Sequence, residues 1–209
     1  MCNLFKIFKK QSDKPTVKDI EVINPEVVQP VKQEVMEAKP IDSTTIKRIE
    51  LLHPVIRQEV KDIYREIVTK VNSKYCQVRF SDTLRTFEQQ EQLYAKGRTK
   101  PGNKVTWAKA GYSYHNYGLA VDIVLLLDQD KNGTFESASW DTTFDGDNDR
   151  IADWLEVVKI FNSYGWQWGL INSKGKRYDL PHFQKTFGYK TSQLKKMKTD
   201  KFGYPILSL

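Results

Sequence analysis

The sequence predicts an α+β domain built on a small antiparallel sheet with flanking helices. Stretches with helical spacing of apolar residues and short branched or aromatic runs are interspersed without the regular alternation that would give a parallel sheet. One run, "LAVDIVLLL" at 119–127, is apolar, short and rich in branched residues, as a central strand should be. No internal repeat is present.

The elements follow in order from residue 42. "DSTTIKRIELL" offers Asp42 or Ser43 as a helix cap, and Pro54 suits the first position of a second helix. In that second helix Val55, Ile56, Val60, Ile63, Ile67 and Val71 recur at helical spacing and mark an expected core face. "YCQVRF" at 75–80 reads as a strand. "RTFEQQEQLYAKGR" starts a helix with a capping box, Thr86 followed three residues later by Gln89, and ends it near Gly97. After the 119–127 strand comes a polar, acidic excursion over 128–150. "DRIADWLEVVKIFNSYG" is then a helix with Ile151, Trp154, Leu155, Val158 and Phe161 on one side and Gly165 as its stop. "WQW" and "HFQ" read as two further short strands.

Residues 1–41 are set apart from this domain. The opening "MCNLFKIFKK" is basic and lacks the unbroken apolar core of a secretory signal, and no run is long enough to cross a bilayer. Residues 11–41 contain four prolines, no glycine and no aromatic residue, the composition of a flexible linker. The expected division is therefore a basic end and linker over 1–41 and one folded domain over 42–209. The chain has 209 residues and a formal net charge of +7, which favours anionic surfaces or polymers as partners. The positive charge is spread out and no nucleic-acid-reading motif is present, so nucleic acid is not the expected partner. Stable membrane insertion is not expected either, and a monomer is. Cys2 and Cys76 are the two cysteines and do not suggest a disulfide framework.

The chemistry centres on "SYHNYGLAVD" at 113–122. Seven residues span about 23 Å in a strand and about 10 Å in a helix, so His115 and Asp122 can share one metal only if the chain bends between them. Gly118 is the residue able to take that bend. A carboxylate within an apolar strand is costly unless paired or metal-bound, so Asp122 should face something cationic. Of the remaining histidines, His53 precedes a helix-starting proline and reads as a structural or solvated residue. His182 lies in "YDLPHFQ", three residues after Asp179. Pro181 disfavours helix at Leu180, which places Asp179 on a turn leading into a short strand that starts near His182. Two histidines and a carboxylate with one position open to water make the ligand set of a hydrolytic zinc site, and Asp179 is placed to move the water's proton. A lone His or Asp is more often an ordinary polar residue, so spacing leaves that simpler reading open.

"SYHNYGLAVD" together with "DLPHF" resembles the zinc peptidases of the D-alanyl-D-alanine carboxypeptidase and L-alanyl-D-glutamate endopeptidase family. "LRTFEQQEQLYAKGR", "VTWAKAGYSYHNYGLAVDI" and "ADWLEVVKIFNSYGWQWG" extend the similarity over roughly residues 75–188. The resemblance implies a hedgehog/DD-peptidase-like fold and one zinc ion on His115, Asp122 and His182. It implies that Asp179 is the acid–base residue, in the aspartate form typical of the L-alanyl-D-glutamate branch, with Ser113 contacting substrate and Arg85 polarising the scissile carbonyl. It further implies the stem peptide of bacterial peptidoglycan as substrate. With no signal peptide read, the expectation is synthesis in the cytoplasm and action on the wall after release or export. The alternatives are a DD- or LD-carboxypeptidase on the same scaffold and a zinc-stabilised binding module without catalysis.

The sequence departs from the family pattern in two places. Gln184 stands where relatives often carry glutamate, two residues after His182. The acidic excursion is the second departure: "DQDKNG" opens like a calcium loop, but Ser139 stands where the closing glutamate belongs. "DGDND" is a further acidic cluster. A solvated acidic loop, not a calcium site, is the expectation for 128–149.

Overall fold

The computed structural model describes Lys39 and residues 41–209; the expected N-terminal segment, linker and Cys2 fall outside the described residues. Helix α1 spans Ser43–Ile49 and is capped by Asp42, whose carboxylate accepts from the Thr45 amide and hydroxyl and pairs with Arg79 at 2.8 Å. Helix α2 spans Pro54–Lys70, with Pro54 at its first position and His53 as cap. Strand β1 is Cys76–Asp82, and α3 is Phe87–Ala95 with both bonds of the Thr86–Gln89 capping box made. A single 3-10 turn at Tyr114–Tyr117 leads into β2, Ala120–Leu127. Then come β3 (Ser137–Ser139), α4 (Asp153–Ser163), β4 (Gln167–Ile171), β5 (Arg177–Gln184) and the short α5 (Thr191–Leu194).

The five described strands form one antiparallel sheet, with β2 at its centre. Strand β1 runs along one edge of β2, while β5 pairs with the start of β2 and β3 with its end. Strand β4 closes the far side against β5. The α+β expectation with a small antiparallel sheet and flanking helices is borne out. Alternation along β2 sends Val121, Ile123, Leu125 and Leu127 into the core, where they meet Ile56, Ile63 and Ile67 of α2 and Trp154 and Phe161 of α4. Asp122 therefore lies on the other face, 22% exposed at its side chain. The carboxylate sits within an apolar strand without entering the hydrophobic core.

Several local expectations need correction. Val55 is 42% exposed, because α2 turns its Ile56, Val60, Ile63, Tyr64 and Ile67 side inward. Leu155 is likewise 42% exposed, and Ile151 precedes α4; Trp154, Val157, Val158 and Phe161 make the buried stripe. Leu155 lies about 100° round the helix from Trp154, enough to leave the stripe. The acidic excursion contains a strand, β3, held by pairing with Leu125–Leu127. Strand β5 starts at Arg177, so Asp179 is inside it and not on a turn before it. No described helix is long and apolar enough to cross a membrane.

Candidate functional site

Sheet register places the site. Asp122 on the central strand pairs directly with His182 on β5 and with Asp82 on β1. A register irregularity between Phe80 and Asp82 turns the end of β1 toward that face. His115 arrives from the 3-10 turn, which Gly118 ends at φ 64. A β-carbon at Gly118 would stand 2.6 Å from the His53 backbone nitrogen, so glycine is needed both for the bend and for the close approach. The expected bend is where the sequence put it.

Asp179 reaches the same cleft by a different device. It has φ 55, opposite Gly169 at φ 59. Between Trp168 and Leu170 the β4–β5 register shifts, so that Trp168 faces Phe183 while Leu170 faces Tyr178. The extra residues on β5 form a bulge, and the positive φ re-aims Asp179 so that, three positions before His182, it still faces the same side.

Three donor atoms converge. His115 Nε2 is 3.1 Å from Asp122 Oδ1 and 3.1 Å from His182 Nδ1, and His182 Nδ1 is 3.0 Å from the same Asp122 oxygen. The outer ring atoms fix the tautomers. His115 Nδ1 donates to the Thr83 carbonyl at 2.7 Å, which leaves a lone pair on Nε2. His182 Nε2 donates to Gln184 Oε1 at 3.0 Å, and Gln184 in turn donates to Gln167 at 3.0 Å, which leaves a lone pair on Nδ1. Two lone pairs and a carboxylate oxygen thus face one point, an arrangement that repels itself unless a cation lies among them. Donors about 2.0–2.2 Å from a tetrahedral zinc stand roughly 3.3–3.6 Å apart, so the observed triangle is one slightly tight face of such a shell. The residues fit a divalent ion with one side open.

Where protons and not a metal supply the positive charge, the signs are the same. Burial alone would raise the Asp122 carboxyl, but the charges and hydrogen bonds of His115 and His182 outweigh it and hold the group far below the ordinary carboxylate range. Burial lowers His182, yet bonding to Asp122 leaves its affinity for a proton raised. Asp179 is pushed up, first by desolvation and then by the charge of Asp122.

The centre lies on an open cleft of about 770 Å³ that Arg85, Ser113 and Asp179 also line. Arg85 is clamped: it donates to Asp82 at 2.5 and 3.1 Å and to Gln90 at 2.8 Å, and its Nη2 lies 3.9 Å from Asp122. These bonds use three of its five N–H groups and leave two. Ser113 precedes the 3-10 turn without spending its hydroxyl on a cap. Asn116 ties the surrounding loops, donating to the Arg85 carbonyl at 2.9 Å and accepting from Gly111 at 3.0 Å.

His53 is elsewhere. Its ring caps α2 and bonds the Pro205 carbonyl at 2.9 Å, as a structural histidine should. Trp166 is in the core, donating to Glu59 at 2.7 Å, and Trp168 packs against Arg177 outside the cleft. Exposed Trp107, Tyr112 and Tyr178 line the cleft. Thr83, Gln90 and Gln167 support the site and carry no spacing signal; Asp82, three residues before Arg85, sits at a distance that suggests pairing.

Comparison with known proteins is consistent with this geometry. Over 113 residues the chain is 44% identical to the peptidoglycan L-alanyl-D-glutamate endopeptidase CwlK of Bacillus subtilis, covering 54% of this chain and 62% of that protein. The matched stretch thus spans less than two thirds of the relative's length. The crystal structure of the Serratia marcescens L-Ala D-Glu endopeptidase ChiX aligns over 74% of this chain and 95% of its own, with a TM-score of 0.45 and 18% identity. Residues 106–185 match the model of the peptidase family described as D-alanyl-D-alanine carboxypeptidase, a stretch that contains Ser113, His115, Asp122, Asp179 and His182.

Proposed function

We propose that residues 42–209 form a zinc-dependent peptidase domain that hydrolyses the stem peptide of bacterial peptidoglycan, at the bond between L-alanine and D-glutamate. The observation that carries this reading is the convergence of His115 Nε2, His182 Nδ1 and Asp122 Oδ1 on one point beside an aspartate with raised proton affinity. Similarity to CwlK supports the choice of bond. Zinc on these three ligands would supply a Lewis acid for the scissile carbonyl and for the attacking water.

The chain's own residues do the rest. Asp179 accepts the proton that the attacking water loses and delivers it to the leaving amine, a task suited to a carboxyl whose proton affinity burial raises. Arg85 keeps two N–H groups for the carbonyl oxygen as negative charge develops there, and its clamp on Asp82 and Gln90 means that little reorganisation is needed. Ser113 offers a free hydroxyl to the peptide backbone. Gln184 and the Thr83 carbonyl hold both imidazoles in the ligating tautomer.

The family description favours a second reading, removal of a terminal D-alanine. Purified protein and a defined stem peptide separate the two, because the first reaction splits the peptide internally and the second releases free D-alanine. Asp179→Asn tests catalysis against mere binding, since asparagine tolerates a positive φ. The variant is expected to keep zinc and lose activity about 10²- to 10⁴-fold; unchanged peptide turnover would remove Asp179 from the mechanism.

A further inference from the structure

The acidic excursion does not end at residue 150. Residues 145–156, "DGDNDRIADWLE", run without a break into α4 and place carboxylates at the first, third, fifth, ninth and twelfth positions: Asp145, Asp147, Asp149, Asp153 and Glu156. These are positions from which a twelve-residue calcium loop of the EF-hand type offers side-chain oxygens, and Ile151, the seventh, would offer its carbonyl. Oxygens of Asp145, Asp147 and Asp153 lie within 4.8 Å of one another, as do those of Asp147, Asp149 and Glu156. Asp147 joins the two groups. Arg150, where such loops carry glycine, takes φ 75 and makes the required turn.

A solvated acidic face would look different at Asp153. This residue is fully buried. Its Oδ1 accepts from the Gly146 amide at 2.9 Å, but Oδ2 accepts nothing from any N–H or O–H group, and only the weakly donating Cys76 thiol lies beside it. A buried carboxylate oxygen without a proper donor is costly, and the side chains grouped with it are further carboxylates. Oε2 of Glu156 is a second buried oxygen without a partner. Among the described residues no ion pair reaches any of the five carboxylates.

We infer that residues 145–156 bind one calcium ion, with Asp153 and Glu156 as the ligands that tie the loop to the start of α4. Oxygen-only donors spread along a twelve-residue loop suit calcium better than magnesium, which demands a tight octahedron and sheds its waters reluctantly. The earlier loop at 128–139 is a weaker host. Ser139, at its twelfth position, carries no carboxylate and lies in β3, and neither of the unpartnered buried carboxylate oxygens falls within that loop. The inference does not depend on the peptidase reading, because none of these residues belongs to the zinc triangle.

The test uses the full chain, zinc-loaded and freed of calcium, titrated with calcium chloride by calorimetry and followed by thermal melting. One calcium per chain and a rise in Tm are expected, with a much weaker response to magnesium chloride. Asp147→Asn and Glu156→Gln should each weaken calcium binding at least tenfold, while Asp130→Asn binds as the parent does. Without calcium, Asp147→Asn should melt no lower than the parent, since it relieves repulsion at an exposed position, so lost binding there is not lost folding. No calcium response in the parent, an equal response to magnesium, or binding lost in Asp130→Asn and kept in the other two would each overturn the assignment.

Discussion

At the scale of single residues, the metal triangle gives the sharpest expectations. His115→Ala and His182→Ala should each lose bound zinc and activity, because either removes one lone pair from a three-donor set. His53→Ala should keep zinc and activity while melting lower, since it loses a cap and a bond to Pro205 on the order of 1 kcal/mol. Gln184→Ala frees His182 to adopt the other tautomer and should weaken zinc binding about 10- to 100-fold, read by competition with a chelator. Protons compete for the same lone pairs. Asp122 raises the proton affinity of His182, so zinc affinity should fall on acidification, and a pH-independent affinity would contradict the ligand set. The three candidate ligands were legible because a histidine and an aspartate around Gly118 can meet only across a bend, and the resemblance to the zinc peptidases points to the same residues with His182. Thr83 and Gln90 were not, since a backbone carbonyl and a buried glutamine leave no pattern in sequence.

At the scale of elements, the difference between legible and illegible parts lies in where the information resides. Helix α3 announces itself through Thr86 and Gln89, and β2 through its branched run, because both signals are local. The bulge in β5 is not local: the register shift that houses Asp179 at φ 55 lies against Gly169 on β4, where a β-carbon would stand 2.9 Å from the Tyr178 carbonyl oxygen. Asp153 and Glu156 were hidden for a related reason, their helical neighbours assigning them to α4 and not to the loop before it. The cap of α1 offers a test at this scale. Burial would raise the Asp42 carboxyl, but hydrogen bonds from Arg79 and Thr45 lower it below its ordinary value of 3.8. A depressed folded-state pKa contributes stability above the unfolded value and loses it as pH falls through the folded one. The parent should therefore lose stability below about pH 4, and Asp42→Asn should start less stable and show a flatter acid limb. Parallel acid limbs would mean the cap is not the acid-sensitive group. Gly118→Ala should cost more than about 1 kcal/mol, because it meets both an unfavourable φ and the His53 backbone.

At the scale of the whole molecule, a core on one face of the sheet leaves the other free to hold the metal triangle and its cleft. A net charge of +7 is expected to draw the protein to the anionic wall, so sacculus binding should weaken as salt rises while turnover of a short soluble stem peptide changes little. The most direct test of the account is digestion of purified sacculi, with fragment masses and zinc content taken from the same preparation. One zinc per chain, and fragments newly beginning with D-glutamate, are the predicted result. Release of free D-alanine alone, or undiminished digestion by protein stripped of metal, would contradict it.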